Sequence, residues 1–165
     1  MKHSRRSQSG LAYLAFLFMA AMLGLVLAVT GVIWSTEQQR DKERELLFVG
    51  HQFRLAIGQY YERSPGYVKH FPPEFKDLLR DDRQVAMVRY LRRIYLDPMT
   101  LTSDWGIVRA PDGGIMGVYS KSTMHPIKKA NFLMMDGGFE NAESYAQWRF
   151  IYVAAELPAA ASPSG

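Results

Sequence analysis

The chain has 165 residues, room for one ordinary domain, with 48% of them hydrophobic and 22% charged. Its formal charge of +4 includes Lys2, Arg5 and Arg6, and without these three it is +1, which is not the balance of a nucleic-acid-binding protein. There is no cysteine, so disulfides, thiolate zinc sites and cysteine catalysis are all excluded.

The first element is an apolar run behind a short basic leader over residues 1–10. No side chain between Ser7 and Thr36 is charged at neutral pH, and Leu11 to Trp34 is almost wholly apolar. As a helix rising ~1.5 Å per residue it would measure roughly 36 Å. A bilayer hydrocarbon core measures about 30 Å. The expectation is therefore a transmembrane helix over 11–34, too long for an ordinary cleaved secretory signal. Basic residues tie across the run, Lys2, Arg5 and Arg6 against Arg40, Lys42 and Arg44. The N-terminal set is denser and lies on a short tail, so the expected orientation is N-terminus cytoplasmic and domain outside. Small residues at Ala12, Ala20, Gly24 and Ala28 share one helix face, interrupted by Phe16. In lipid such a face lets helices approach closely, which makes these four the expected helix-packing residues.

The helical pattern continues over 35–63. Glu37 with Arg40, Arg40 with Glu43, Asp41 with Arg44, and Lys42 with Glu45 stand at i, i+3 spacing. Leu46, Val49, Phe53, Ile57 and Tyr60 then recur at steps of three or four as one apolar stripe. Ser64-Pro65-Gly66 stops the pattern. From Leu11 to Glu62 the helix would reach on the order of 78 Å.

The segment "FPPEFKDLLRDDRQVAMVRYLRRIYLDP" reads as two short helices. Pro72-Pro73 opens the first near Glu74. Asp81-Asp82 caps the second, whose buried side is Val85, Val88, Leu91 and Tyr95 and which ends at Asp97-Pro98. Arg89, Arg92 and Arg93 read as its solvated face. "DWGIVRAPDGGIMGVYS" is a hairpin around Pro111-Asp112-Gly113-Gly114. "QWRFIYVAA" is a third strand that alternates Trp148, Phe150 and Tyr152 with Arg149, Ile151 and Val153. Residues 121–146 form a long connection with a short helix near Asn141–Tyr145. The tail over 157–165 has nothing to bury and reads as disordered. The expected fold class is α+β: a long N-terminal helix, half transmembrane and half amphipathic, packed on a small three-stranded antiparallel sheet within a domain over 64–156.

Catalytic equipment is missing from the pattern. There is no Gly-x-Ser-x-Gly elbow, no His-Glu-x-x-His pair and no phosphate loop. His3, His51, His70 and His125 share no ligand spacing and read as surface or packing histidines. "DGGFENAE" brings Asp136, Glu140 and Glu143 close together, a set of hard oxygen donors that could hold calcium. A solvated acidic loop is the plainer reading. No catalytic or cofactor-binding residue is assigned, and the chain reads as a non-enzyme.

A basic leader ending in glycine, a long helix and a small antiparallel sheet together resemble the type IV pilin-like family. "QYYERSPGYVKHFPPEFKDLLRDD", "RYLRRIYLDPMT" and "DWGIVRAPDGGIMGVYS" narrow the likeness to the major pseudopilin of type II secretion systems. Asp97-Pro98 and Tyr119-Ser120 carry it most specifically. The resemblance implies a pilin-like fold and a single-pass protein of the bacterial inner membrane with a periplasmic C-terminal domain. It implies a cut by a prepilin peptidase between Gly10 and Leu11, and assembly with other pilin-like subunits or inner-membrane proteins of a type II secretion or type IV pilus-like system. The family also carries a calcium-binding loop after its hairpin, where this chain reads "SKSTMHPIKKANF". The first and fifth mature positions, usually Phe and Glu, are Leu11 and Ala15 here. Ala15 favours the alternative expectation, a membrane-anchored periplasmic binding or accessory module that does not polymerise.

Overall fold

The computed structural model describes residues 8–83 and 87–154, with side chains throughout except at 8–10 and 26–34. The chain is α+β. Helix α1 covers Gln8–Glu62 and α2 covers Phe75–Leu79; β1 covers Gly106–Arg109, β2 Ile115–Tyr119 and β3 Phe150–Ile151. Two 3-10 turns, Met134–Phe139 and Tyr145–Gln147, lie between β2 and β3. The sheet has the order β1-β2-β3, with both pairings antiparallel. The chain divides into two compact units, Met1–Arg40 and Asp41–Gly165. The amphipathic end of α1 thus belongs to the same unit as the sheet.

In the first unit, the large apolar side chains from Leu11 to Leu25 are 46 to 69% exposed, and no described residue covers them. Among the described residues no helix is long and apolar enough to cross a membrane. The run with described side chains, 11–25, is only ~22 Å long at 1.5 Å per residue, short of the roughly 30 Å required. This overturns the expected transmembrane span, and with it the single-pass inner-membrane location. Residues 1–7 of the leader and the tail over 157–165 lie outside the described residues.

In the second unit the stripe is sealed. Leu46, Val49, Phe53, Ile57 and Tyr60 are all buried and share one core with Leu78, Trp105, Ile115, Val118, Trp148 and Phe150. Phe53 meets Phe75, Tyr95 and Trp105 at centroid distances of 5.6, 6.3 and 5.2 Å. On the neighbouring face the sheet comes closer still, because α1 carries glycine there. A Cβ on Gly50 would stand 2.4 Å from the Phe150 ring, and one on Gly58 would stand 2.6 Å from the Tyr152 ring.

The hairpin forms as its turn residues require. Gly113 takes φ +84, and the Ala110 and Gly113 amides close the turn at 2.9 Å each. A bulge between Val108 and Arg109 shifts the register. The third strand is shorter than its alternation suggests: Phe150 and Ile151 pair with β2, and the Tyr152 amide makes one further bond to Met116 O.

The expected second short helix is absent from the described residues 87–95. Its backbone bonds go elsewhere: the Tyr90 and Leu91 amides both donate to Leu78 O, and the Asp81 amide donates to Val88 O. These long-range partners outcompete the i−4 carbonyls of a helix. Leu91 is buried, Val88 and Tyr95 are half-buried, and Val85 lies outside the described residues. The expected helix near Asn141–Tyr145 is likewise replaced by the two 3-10 turns, because the Tyr145 amide bonds to Met124 O.

Gly50→Val should lower stability by about 1–3 kcal/mol, since the wedged Phe150 ring cannot retreat from the core. Gly24→Ala, where a Cβ meets nothing within 4 Å, should be neutral or stabilising by up to ~1 kcal/mol. Thermal unfolding of the two variants beside the unmodified chain tests both.

Candidate functional site

A groove runs beside the second half of α1. It encloses about 540 Å³ and is walled by His51, Arg54, Leu55 and Gly58 of α1, with Met135 and Tyr152 opposite. Helical spacing puts 51, 54/55 and 58 on one face, and the absent side chain of Gly58 lets the Tyr152 ring approach the helix closely.

At one end of the groove Asp136 turns inward from its 3-10 turn. Its Oδ1 accepts from Arg54 Nη2 and its Oδ2 bonds His51 Nε2, both at 2.7 Å. Asp136 is only 1% exposed, and the Arg54 side chain 9%. Among the described residues Arg54 Nε and Nη1 are buried without a hydrogen-bond partner, and the guanidinium lies 5.6 Å from the Phe150 ring. At the other end the Tyr152 hydroxyl donates to Glu62 Oε1 at 2.7 Å. Burial first, and this bond second, push its pKa up to about 12.

Chemically the groove offers little. A His–Asp pair such as His51–Asp136 can orient a general base, but among the described residues no Ser, Thr, Cys or Lys lines the groove.

The calcium candidates are not assembled. Asp136 is committed to Arg54 and His51, while Glu140 and Glu143 face solvent. Among the described residues no group of three His, Cys, Asp or Glu could hold a metal. A carboxylate that neutralises a buried guanidinium is not free to coordinate a cation. Of the processing pair, Leu11 is exposed, and Gly10 is placed in α1 by its backbone alone. Ala12, Ala20 and Gly24 are exposed, with nothing described packed against them, whereas the Ala28 side chain lies outside the described residues.

Three buried carboxylates went unread as anchors. Glu43, paired with Arg40 in the sequence reading, accepts from the Ile127 amide at 2.6 Å, the Lys128 amide at 3.2 Å and the Tyr145 hydroxyl at 2.9 Å. Its position three residues before Leu46, on the same stripe, was the available signal. Asp97 accepts from the Met99 amide, Thr100 Oγ1 and Ser120 Oγ at 2.9, 3.0 and 2.7 Å. The two segments most specific to the resemblance therefore meet in one buried bond. Asp81 holds Arg83, which reaches Tyr60 O at 3.0 Å and Ser64 Oγ at 2.9 Å, with its guanidinium 3.5 Å over the Tyr60 ring. A cation thus closes the C-terminal end of α1.

The Arg83 hydrogen bonds hold the Asp81 pKa at about 2, below its ordinary 3.8. A depressed acid stabilises the fold above its unfolded pKa and ceases to do so as pH falls through its folded one. The unmodified chain should therefore lose about 2 kcal/mol relative to Asp81→Asn between pH 4 and pH 2, measured by urea unfolding across that range. Asp136→Ala leaves Arg54 charged and unpaired, and should cost about 3–5 kcal/mol. Adding Arg54→Met should restore part of the lost unfolding midpoint.

Comparison with protein-family models, with curated proteins and with solved structures finds no match.

Proposed function

We propose that the chain is a pilin-like structural subunit or assembly factor, similar to the major pseudopilin of type II secretion systems, serving a type II secretion or type IV pilus-like machine. Its work is mechanical, and no residue performs covalent chemistry. The observation that carries this reading is the contrast between the two stretches of α1. From Leu46 to Tyr60 the apolar stripe is sealed by the sheet of its own unit. From Leu11 to Leu25 the apolar side chains stand exposed around the helix. An apolar surface of that extent marks a place of association. Helices of neighbouring subunits would cover it, coming closest where Ala12, Ala20 and Gly24 leave room. The bond between Asp97 and Ser120 supports the same reading, because it joins the two motifs on which the resemblance rests.

A second reading is favoured by Ala15, which stands where pilin-like chains carry glutamate. On that reading the chain keeps the shape of a subunit and serves as a non-polymerising accessory module.

Two measurements separate these readings. Intact-mass analysis and N-terminal sequencing of the chain co-expressed with a prepilin peptidase should show a methylated start at Leu11. A start at Met1 removes the chain from the pilin pathway. Sedimentation of the processed chain should show large assemblies; a processed monomer decides for the accessory module.

A further inference from the structure

We infer that copies of this chain join head to tail, the arginine-bearing loop 87–96 of one copy seating on the acidic segment 133–143 of the next. The inference rests on the reading of the chain as an assembling subunit and names the surfaces it uses within the second unit.

The stretch "MVRYLRRIYL" at 87–96 contains three arginines and no acid. It has no regular secondary structure, yet it is pinned. The Tyr90 and Leu91 amides bond Leu78 O, the Tyr90 hydroxyl bonds Asp81, and Trp105 Nε1 bonds Tyr95 O at 2.8 Å. The side chains of Arg89, Arg92 and Arg93 are exposed, Arg93 with its guanidinium 5.4 Å from the Tyr95 ring, and exposed Met87 and Leu96 flank them. Several other exposed cations of this unit find an acid nearby: Lys76 with Glu74, Arg80 with Asp82, and Lys121 with Asp104. Arg89, Arg92 and Arg93 have no carboxylate partner among the described residues. A rigid loop of arginines with apolar flanks has the composition of an interface centre.

A complementary surface lies on the same unit. Leu133, Met134 and Met135 are exposed, as are Glu140 and Glu143, neither of which has a cation partner among the described residues. The cations nearest in sequence are engaged elsewhere, Lys128 over the Phe132 ring and Lys129 on Ala142 O. This segment too is fixed, since Asp136 within it grips Arg54 and His51. Both surfaces therefore meet a partner with little ordering left to do.

One copy cannot satisfy itself. The acidic segment is tied to α1 through His51 and Arg54, and the arginine loop is tied at Tyr60 through Tyr90. From His51 to Tyr60 is ~14 Å along a helix, so the two surfaces are offset along α1. Different patches that complement each other make a heterologous contact, which repeats without closing unless the rotation forms a ring.

The chain lacks cysteine, so an introduced pair is unambiguous. Full-length Arg92→Cys/Glu140→Cys, and Arg93→Cys/Glu143→Cys as a second pair, should give a ladder of disulfide-linked multimers on mild oxidation. Each single cysteine should stop at dimers. Arg92→Glu/Arg93→Glu and Glu140→Arg/Glu143→Arg should each reduce sedimenting assemblies at least tenfold, and the four changes combined should restore them. If the chain assembles but yields no ladder and ignores both reversals, this inference fails while the proposed function stands. Loss on reversing the arginines but not the glutamates overturns it in favour of another acidic partner. A processed chain that never leaves the monomer ends both.

Discussion

Two aromatic rings can press against a helix backbone only where the helix makes room, and Gly50 and Gly58 make that room on α1. A Cβ at either position would come within 2.6 Å of Phe150 or Tyr152, far inside contact distance. The close approach lets a strand of only two residues, Phe150–Ile151, seal a core that also takes in Trp148 and Phe139, stacked at 5.5 Å. Glycine in a helix costs about 1 kcal/mol relative to alanine, and burial of the facing rings offsets it. The groove is a product of the same choice, since Gly58 helps form its wall.

What the sheet does for the regular part of the unit, buried carboxylates do for the irregular part. Residues 120–149 contain no strand and no α-helix, so their shape must come from tertiary bonds. Glu43 takes two amides and a hydroxyl from this connection, and Asp136 returns from it to Arg54 and His51. Asp97 fixes the following loop to the end of β2. Each of these acids is buried and hydrogen-bonded, the condition under which a charge inside a fold is tolerated. They specify one path for the chain more than they add stability.

Elements marked by period or by turn chemistry were legible in advance. The stripe from Leu46 to Tyr60, the proline-led α2 and the hairpin around Gly113 all stand where local pattern puts them, because their determinants lie within a few residues. The second short helix was misread for the opposite reason. Leu91 and Tyr90 look helical in sequence, but their amides answer to Leu78 O, a partner that periodicity does not reveal. Glu43 and Asp136 looked like solvated charges because their partners lie more than eighty residues away. His51 and Arg54 gave no local sign that they share one acid. The apolar run at the start of the chain was conspicuous, but its described portion is too short to cross a membrane.

The bulge between Val108 and Arg109 bears on how such chains behave when crowded. Strand β1 forms one edge of the sheet, and an open edge is a template on which foreign strands can anneal. Here the edge is four residues long, its pairing to β2 is interrupted by the bulge, and it ends in Arg109, whose guanidinium turns back to Gly113 O. Such features discourage cross-β growth. Copies brought together at high local density are thereby directed to meet through side chains, and amyloid-like stacking is disfavoured.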